Sequence, residues 1–298
     1  MSSWAVAAGL MIGLSGVVAG MKPAVAADTM KFASPAAAYH AGTSAMRDGR
    51  VDEALQTLEY AADKGVLGAM RKLARLYAAG EGVPQSNAKA FGYYQRIADE
   101  FADMDPRHRH AKYAAEAFMA LAAYYRSGLP ELGVSPDPIR AAGLCQHAAS
   151  YFGNAKAQFM LARMYLAGDG VMANIRLAVN WLANAAKKRH APSQALLGDL
   201  LWRTDEVTYH KPLKGLALLA LASRNAAGTA DAKWIGELYD RAVGEAAPEQ
   251  RKQAWAIAER WGVNRKNRSS GLAAASQARS ATPQGIRATD TVSNVRPQ

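Results

Sequence analysis

The residues whose types and spacing could do chemistry are few, and the clearest are His108 and His110 in the segment PRHRH. Histidine changes charge between about pH 5 and 8, so this pair, set among arginines, would gain positive charge on acidification. Such a cluster could repel a partner, or loosen its loop for a protease, as the pH falls. The alternative is a solvated polar loop whose histidines titrate without consequence. We take His108 and His110 as candidate pH-sensing residues.

The single cysteine, Cys145, is the other candidate, because a thiolate is a nucleophile that can also be oxidised. Aligning the second helix of each repeat described below places Cys145 where other copies have Leu58, Tyr94 and Leu182. These are core positions, and a buried cysteine usually behaves as a small hydrophobic residue. The pattern therefore favours a structural role over a redox switch. With one cysteine, the chain cannot form an internal disulfide.

The sequence contains none of the spacings that commonly carry catalysis or metal binding. There is no His-Glu-x-x-His, Cys-x-x-Cys or Gly-x-Ser-x-Gly. The glycine pairs in AGEGV and AGDGV lack the lysine that follows a phosphate-binding loop, so they indicate turns. We predict no catalytic residue, no cofactor, no metal ion and no small-molecule substrate.

The elements that carry these residues come from an internal repeat. ARLYAAGEGV (74–83) and ARMYLAGDGV (162–171) agree at seven of ten positions. The spacing Leu-Ala-x-x-Tyr-x-x-Gly begins at Leu73, Leu121 and Leu161, and degraded copies begin at Leu197 and Ile235. A second segment of helical periodicity lies between successive copies. One such hairpin cannot bury its apolar face alone, whereas stacked copies can, so the sequence predicts an all-α solenoid of helix-turn-helix repeats.

Small residues mark where helices should approach closely, and glycines mark where they should end. The predicted close contacts are at Ala74, Ala122, Ala162, Gly198 and Gly236. Gly80 fits the left-handed position after a helix, Gly82 allows a tight turn, and Val83 returns to the core. Loops of repeat proteins often carry binding residues. The candidate partner-binding turns are therefore Tyr77, Gly80, Gly82, Val83, Gly128, Gly168 and Gly170.

The two ends of the chain differ from the repeats. Residues 1–26 read as a signal peptide, because the apolar run 5–20 is shorter than the ~20 residues of a membrane span and small residues mark a cleavage site near Ala26. An uncleaved anchor helix is the alternative. We predict a linker at 27–45, a repeat domain at 46–263, and a disordered basic tail at 264–298. The repeat domain ends in a cap helix, 248–262, whose Trp255 and Trp261 seal the last apolar face.

The net charge of +11 is unevenly spread along the chain, and much of it lies in the C-terminal tail. The tail carries six basic residues against Asp290 alone. A basic tail can bind nucleic acid, but export argues against that partner here. Anionic cell-surface polymers or lipid headgroups fit better, and a plain solubilising tail is the remaining alternative.

The repeat period and the Leu-Ala-x-x-Tyr-x-x-Gly-x-Gly-Val signature resemble the Sel1-like repeat family, a relative of tetratricopeptide repeats. That resemblance implies a right-handed superhelix with a concave binding surface. The copy GLPELGV (128–134) carries an insertion, and the copy at 197–204 has lost its glycines.

The order of segments, from EALQTLEYAADKG (53–65) to KGLALLALASRNA (214–226), is similar to the ExoR-type family of periplasmic exopolysaccharide regulators over about residues 45–262. The resemblance implies a negative regulator that binds the sensing domain of a membrane histidine kinase and represses its signalling. Exopolysaccharide synthesis and motility would be the outputs, relieved by acid or by a periplasmic protease. The residues alone support an exported repeat protein that binds something. A generic Sel1-type scaffold for another envelope protein is the alternative, and an enzyme comes third.

Overall fold

The structure, a computed structural model, describes residues 32–204 and 208–261. Regular structure within these ranges is helical, and the β-type pairing there is a single bridge between Leu129 and Val134. The predicted all-α class is confirmed. The predicted signal peptide and the basic tail lie outside the described residues. Within the described ranges, no helix combines the length and the apolar character that crossing a bilayer requires.

The chain divides into two compact units, one ending at Gln85 and the other beginning at Ser86. The first contains α1 (Pro35–Arg47), α2 (Val51–Asp63) and α3 (Leu67–Ala79). The prediction of a linker at 27–45 is wrong for residues 35–45, because α1 occupies them. The Ser34 side chain caps α1 by accepting a hydrogen bond from the Ala37 N–H, and Pro35 suits the first turn.

The second unit is a succession of helices in which each packs on the next. They are α4 (Asn87–Phe101), α5 (Ala111–Ser127), α6 (Pro138–Ser150), α7 (Ala155–Ala167), α8 (Ile175–Lys187), α9 (Ala191–Arg203), α10 (Pro212–Ala226) and α11 (Ala232–Glu245). A short 3₁₀ helix, Pro130–Leu132, lies between α5 and α6. Residues 248–261 form α12, up to the last described residue. The single repeat domain predicted at 46–263 is therefore divided after Gln85.

The small residues of the repeat lie where the prediction placed them, with one exception. Ala74, Ala122 and Ala162 are buried. A Cβ added to Gly198 of α9 would lie 2.9 Å from the Gly215 carbonyl oxygen of α10, so these two helices touch through their backbones. The prediction for Gly236 is wrong: no heavy atom lies within 4 Å of a Cβ added there. Helix α11 therefore makes no close backbone contact at this position.

Two buried glutamines join consecutive repeats. Gln158 of α7 donates from Nε2 to the Ala149 carbonyl oxygen at 3.0 Å, and Gln194 of α9 donates in the same way to Ala186 at 3.1 Å. Their side-chain oxygens accept hydrogen bonds from Lys188 and from Asn225 respectively. A buried polar group that keeps its partners stabilises the fold and also fixes the alignment of the helices it joins.

The tryptophans of the C-terminal helices pack less uniformly than predicted. Trp202, Trp234 and Trp261 pack on the last core cluster, but Trp255 is 54% exposed. The prediction that Trp255 seals the apolar face is wrong. The face is closed by the buried Ala254 and Ala258, and Trp255 lies about 100° around the helix from Ala254.

Candidate partner-binding turns between paired helices

The turn that follows α3 belongs to the first unit and is built as the repeat signature indicates. Gly80 adopts the left-handed conformation (φ 71°, ψ 27°), and its N–H donates to the Leu76 carbonyl oxygen at 2.8 Å. Tyr77 and Val83 are buried, whereas Gly82 is exposed at φ 73°. Tyr77 and Val83 therefore shape this turn from inside the unit, and its surface is mainly backbone.

The turn that follows α7 has the same form in the second unit. Gly168 is left-handed (φ 71°, ψ 25°), and its N–H donates to the Met164 carbonyl oxygen. Gly170 is also left-handed, and a Cβ added there would collide with the Pro138 carbonyl group. The turn therefore rests directly on the first turn of α6, and only glycine fits at position 170.

The insertion that follows α5 is a closed loop. Gly128 (φ 77°) begins it, and Leu129 and Val134 exchange backbone hydrogen bonds of 2.7 and 3.1 Å. Pro136 then lies against Gly128, since a Cβ added to Gly128 would be 3.0 Å from the Pro136 Cδ. These contacts fix the loop, although its sequence departs from the repeat signature.

A similar backbone hydrogen bond closes three connections between paired helices in the second unit, α5 to α6, α7 to α8 and α9 to α10. The backbone N–H just before the second helix donates to a carbonyl oxygen near the end of the first, as Asp137 to Tyr125, Asn174 to Tyr165 and Lys211 to Leu201. Asp137 and Asn174 also cap their helices by accepting a backbone N–H three residues on. These caps were not predicted from the sequence, although Asp or Asn just before a helical segment signals them. The turns are therefore preorganised.

Exposed apolar side chains lie on two adjacent turns, and we call this surface, residues 128–139 and 168–174, the turn edge. Leu132 is 47% exposed, Ile139 74% and Met172 90%. The Gly170 backbone lies against the N–H of Ile139, which brings the two turns together. Single exposed apolar residues are ordinary, but a group of them on rigid turns is typical of a protein-docking surface. The sequence pattern gave no signal for it, because exposure depends on how the turns stack.

The structure brings His108 and His110 together, but at the other end of α5 from the turn edge. Their rings meet edge to face with centroids 5.2 Å apart, and His110 stacks on Tyr113. Burial lowers the pKa of His110, and the positive charges of Arg109, His108 and Lys112 lower it further. His110 therefore gains its proton at a lower pH than an ordinary histidine.

A more deeply placed histidine, His190, was missed by the sequence analysis. It precedes α9, packs its ring against Phe159 at 5.3 Å, and places Nδ1 2.9 Å from the Ser193 Oγ. Burial lowers its pKa, Asp231 opposes that shift, and Lys156 adds to it. A histidine directly before a predicted helix, with serine three residues later, is the sequence signal that was available.

Cys145 is 1% exposed, which confirms the predicted core position. Burial raises the pKa of its thiol to about 11. A thiol with that pKa contributes almost no thiolate at neutral pH, so Cys145 is poorly suited to a redox switch. In the part of the chain that the structure describes, no group of three His, Cys, Asp or Glu side chains could hold a metal ion.

Comparison with known proteins finds the same repeats and two similar regulators. The Sel1 repeat model matches residues 68–100, 114–150 and 155–190. The exopolysaccharide production negative regulator of Rhizobium meliloti is 35% identical over 228 residues, which cover 76% of this chain and 82% of that protein. The regulator of the same description from Rhizobium leguminosarum bv. viciae is 33% identical over 224 residues, 75% of this chain and 81% of that protein.

Two solved structures share the fold. A protective antigen of uropathogenic Escherichia coli, described as having an SLR fold, superposes with a TM-score of 0.60 at 22% identity over 87% of this chain. This chain spans about half of that structure, 51%. A Sel1 repeat protein from Oxalobacter formigenes gives a TM-score of 0.54 at 23% identity, over 76% of this chain and 88% of that one. At these identities the likeness concerns the fold alone, a helical-repeat solenoid.

Proposed function

Because this chain belongs to the family of exopolysaccharide production negative regulators built from Sel1 repeats, we propose that it represses exopolysaccharide synthesis by binding a sensor kinase in the periplasm. The protein is exported, with its signal peptide cleaved near Ala26. It binds the sensing domain of a membrane histidine kinase and holds signalling down. Removal by a periplasmic protease, or acid, relieves the repression, so that exopolysaccharide synthesis rises and motility falls.

The observation that carries the binding part of this proposal is the turn edge. Leu132, Ile139 and Met172 expose apolar surface on turns that backbone hydrogen bonds already fix. A preorganised surface loses little conformational entropy when a partner docks, so its apolar contacts contribute more of their free energy to affinity. The turn edge is therefore the surface on which we place the kinase.

In this proposal the protein acts by binding, as its Sel1 repeats and its regulator relatives suggest. Repeat scaffolds of this kind act through the surfaces that they present to other proteins. The acid part of the proposal draws support from His190, whose lowered pKa makes the fold less stable as the pH falls.

The test is a pull-down of the tagged full chain from cross-linked cells at neutral and mildly acidic pH, with bound proteins identified by mass spectrometry. We expect a histidine kinase at neutral pH and less of it in acid. Met172→Glu and Ile139→Glu should remove the kinase. Ala256→Glu, on an exposed position of α12, is the matched control and should not.

Three outcomes would change the proposal. Equal recovery of the kinase at both pH values would keep the regulator and remove direct acid dissociation. Recovery that is unaffected by the turn-edge variants would move the kinase to another surface. Absence of any kinase, while a control complex is captured, would favour the alternative of a Sel1-type scaffold for another envelope protein.

A further inference from the structure

A half-open groove of about 240 Å³ lies at the C-terminal end of the second unit and shares no lining residue with the turn edge. Three helices form it. The lining residues are Leu216 and Ala220 of α10, Tyr239 and Val243 of α11, and Arg251, Ala254 and Trp255 of α12.

The groove combines an apolar interior with one cation. Leu216 and Ala254 are buried and form its floor, and the half-exposed Trp255 forms a wall. Arg251 is the charged residue of the lining. An exposed tryptophan beside a cavity leaves aromatic surface in water that a ligand could cover, which is typical of binding sites.

Arg251 has no acidic partner among the residues that the structure describes, since no carboxylate of 32–204 or 208–261 lies within 4 Å of its guanidinium. Three nearby carboxylates have other partners. Glu245 accepts a hydrogen bond from Trp202 Nε1, Glu249 accepts one from Gln253, and Glu259 pairs with Arg224. The groove therefore presents a cation that forms no ion pair within the described residues.

We infer that this groove binds a small, soluble carboxylate with an apolar chain. The groove, about 240 Å³, is many times the roughly 10–15 Å³ that one water needs, so it has room for an alkyl chain of several carbons. The chain would cover Leu216, Val243 and Trp255. The carboxylate would meet Arg251, whose planar guanidinium can donate two parallel hydrogen bonds to it. Such binding is distinct from conversion of a substrate.

Charge decides between this ligand and its alternatives. An alkyl ammonium of the same length would place its cation beside Arg251, where like charges repel. Acetate would keep the ion pair but would lose the apolar contact, and an exposed ion pair alone contributes little. Both parts of the ligand are therefore needed.

The experiment is a calorimetric titration of the full chain with octanoate, octylammonium and acetate. We expect a dissociation constant of about 1 mM or lower for octanoate, and binding at least tenfold weaker for each of the other two, as the small size of the ligand implies. Arg251→Gln should weaken octanoate binding about tenfold. The matched control Lys252→Gln, which removes the neighbouring exposed cation of α12, should leave it unchanged. Trp255→Ala should also weaken binding, and thermal unfolding checks that each variant folds.

Equal binding of octanoate and octylammonium would overturn the inference, because the groove would then be only an apolar patch. No effect of Arg251→Gln would overturn the role of the cation. Binding to phosphatidylglycerol vesicles without binding of soluble octanoate would replace the ligand with a membrane surface. Loss of the kinase from the pull-down in Trp255→Ala, without octanoate binding, would make the groove a protein-docking surface instead. The first three results leave the test of the turn edge untouched, whereas the fourth would also count against the turn edge as the kinase surface.

Discussion

Replacing Gly170 by alanine tests whether the turn edge is a rigid surface. Gly170 has a left-handed backbone (φ 72°), and a Cβ added there would collide with the Pro138 carbonyl at the start of α6. Gly133 is the matched control. It lies in the neighbouring turn with a similar backbone (φ 65°), but no heavy atom is within 4 Å of a Cβ added there.

The expected magnitudes follow from one cost that the two variants share and one that only Gly170→Ala carries. Both variants place a non-glycine residue in a left-handed backbone, which lowers the free energy of unfolding by about 1–2 kcal/mol. Part of it is offset, by about 0.4–1 kcal/mol, because alanine restricts the unfolded chain. Only Gly170→Ala also forces the turn away from Pro138, at a cost typical of overpacking, about 1–3 kcal/mol. The collision with Pro138 should therefore separate the stabilities of the two variants.

The assay is urea unfolding followed by circular dichroism, with thermal melts in parallel. We expect Gly170→Ala to have a free energy of unfolding about 1–3 kcal/mol below that of Gly133→Ala. At about 2–4 °C per kcal/mol for a chain of this size, the melting temperatures should differ by about 2–12 °C. If the two variants lie within about 0.5 kcal/mol of each other, which is the usual error of such comparisons, the contact with Pro138 is not rigid and the preorganised turn edge is refuted.

Three further results are expected. The pKa of His190 in the folded chain lies below its unfolded value of about 6.5, so the unfolded chain binds a proton that the folded chain does not. The free energy of unfolding should therefore fall as the pH drops below about 6.5. Urea unfolding from pH 7.5 to 5 should show that loss, and His190→Gln should reduce it. Cys145 should react with a thiol reagent at pH 8 in urea but not in the folded chain, and rapid labelling of the folded chain would contradict its burial. Gln158→Leu should lower the free energy of unfolding by about 1–3 kcal/mol, because the Ala149 carbonyl loses the donor that Gln158 supplies and the Lys188 ammonium keeps only the Gly153 carbonyl oxygen of its two acceptors. The exposed Gln253→Leu, measured alongside, should change it by less than about 0.5 kcal/mol.

The repeated positions could be predicted from the sequence because each has a local physical cause. Gly80 and Gly168 end helices in a left-handed conformation that glycine adopts without penalty. Cys145 occupies a position that is apolar in the other copies, and it is buried with them. Such features depend on neighbours in the chain or on the repeat itself, so comparing the copies reveals them.

Helix α1 was missed because its buried face is made of Ala38, Gly42 and Ala45. These small residues carry little of the apolar periodicity by which helices are recognised, and the segment does not repeat the signature. Its cap, Ser34 followed by Pro35, was the remaining signal.

The surfaces were not predictable, because each depends on how helices from different repeats are placed side by side. Trp255 is exposed because Ala254 and Ala258 face the core instead. The burial of His190 requires Phe159, which lies 31 residues earlier in the chain. Contacts between residues this far apart leave no local pattern in a single sequence.

The 17-residue length of α5 has a consequence for how acid could act. At 1.5 Å per residue, the helix separates His110 at its start from Gly128 at its end by roughly 25 Å. The Debye length at physiological ionic strength is about 8 Å, so charge gained at the histidine pair is screened to a few per cent across that span. Protonation of His108 and His110 therefore cannot eject a protein seated on the turn edge by long-range repulsion. Acid would have to act at the turn edge itself, which carries Glu131, Asp137 and Asp169, or by weakening the scaffold. Replacing both histidines by glutamine would leave release from that edge unchanged.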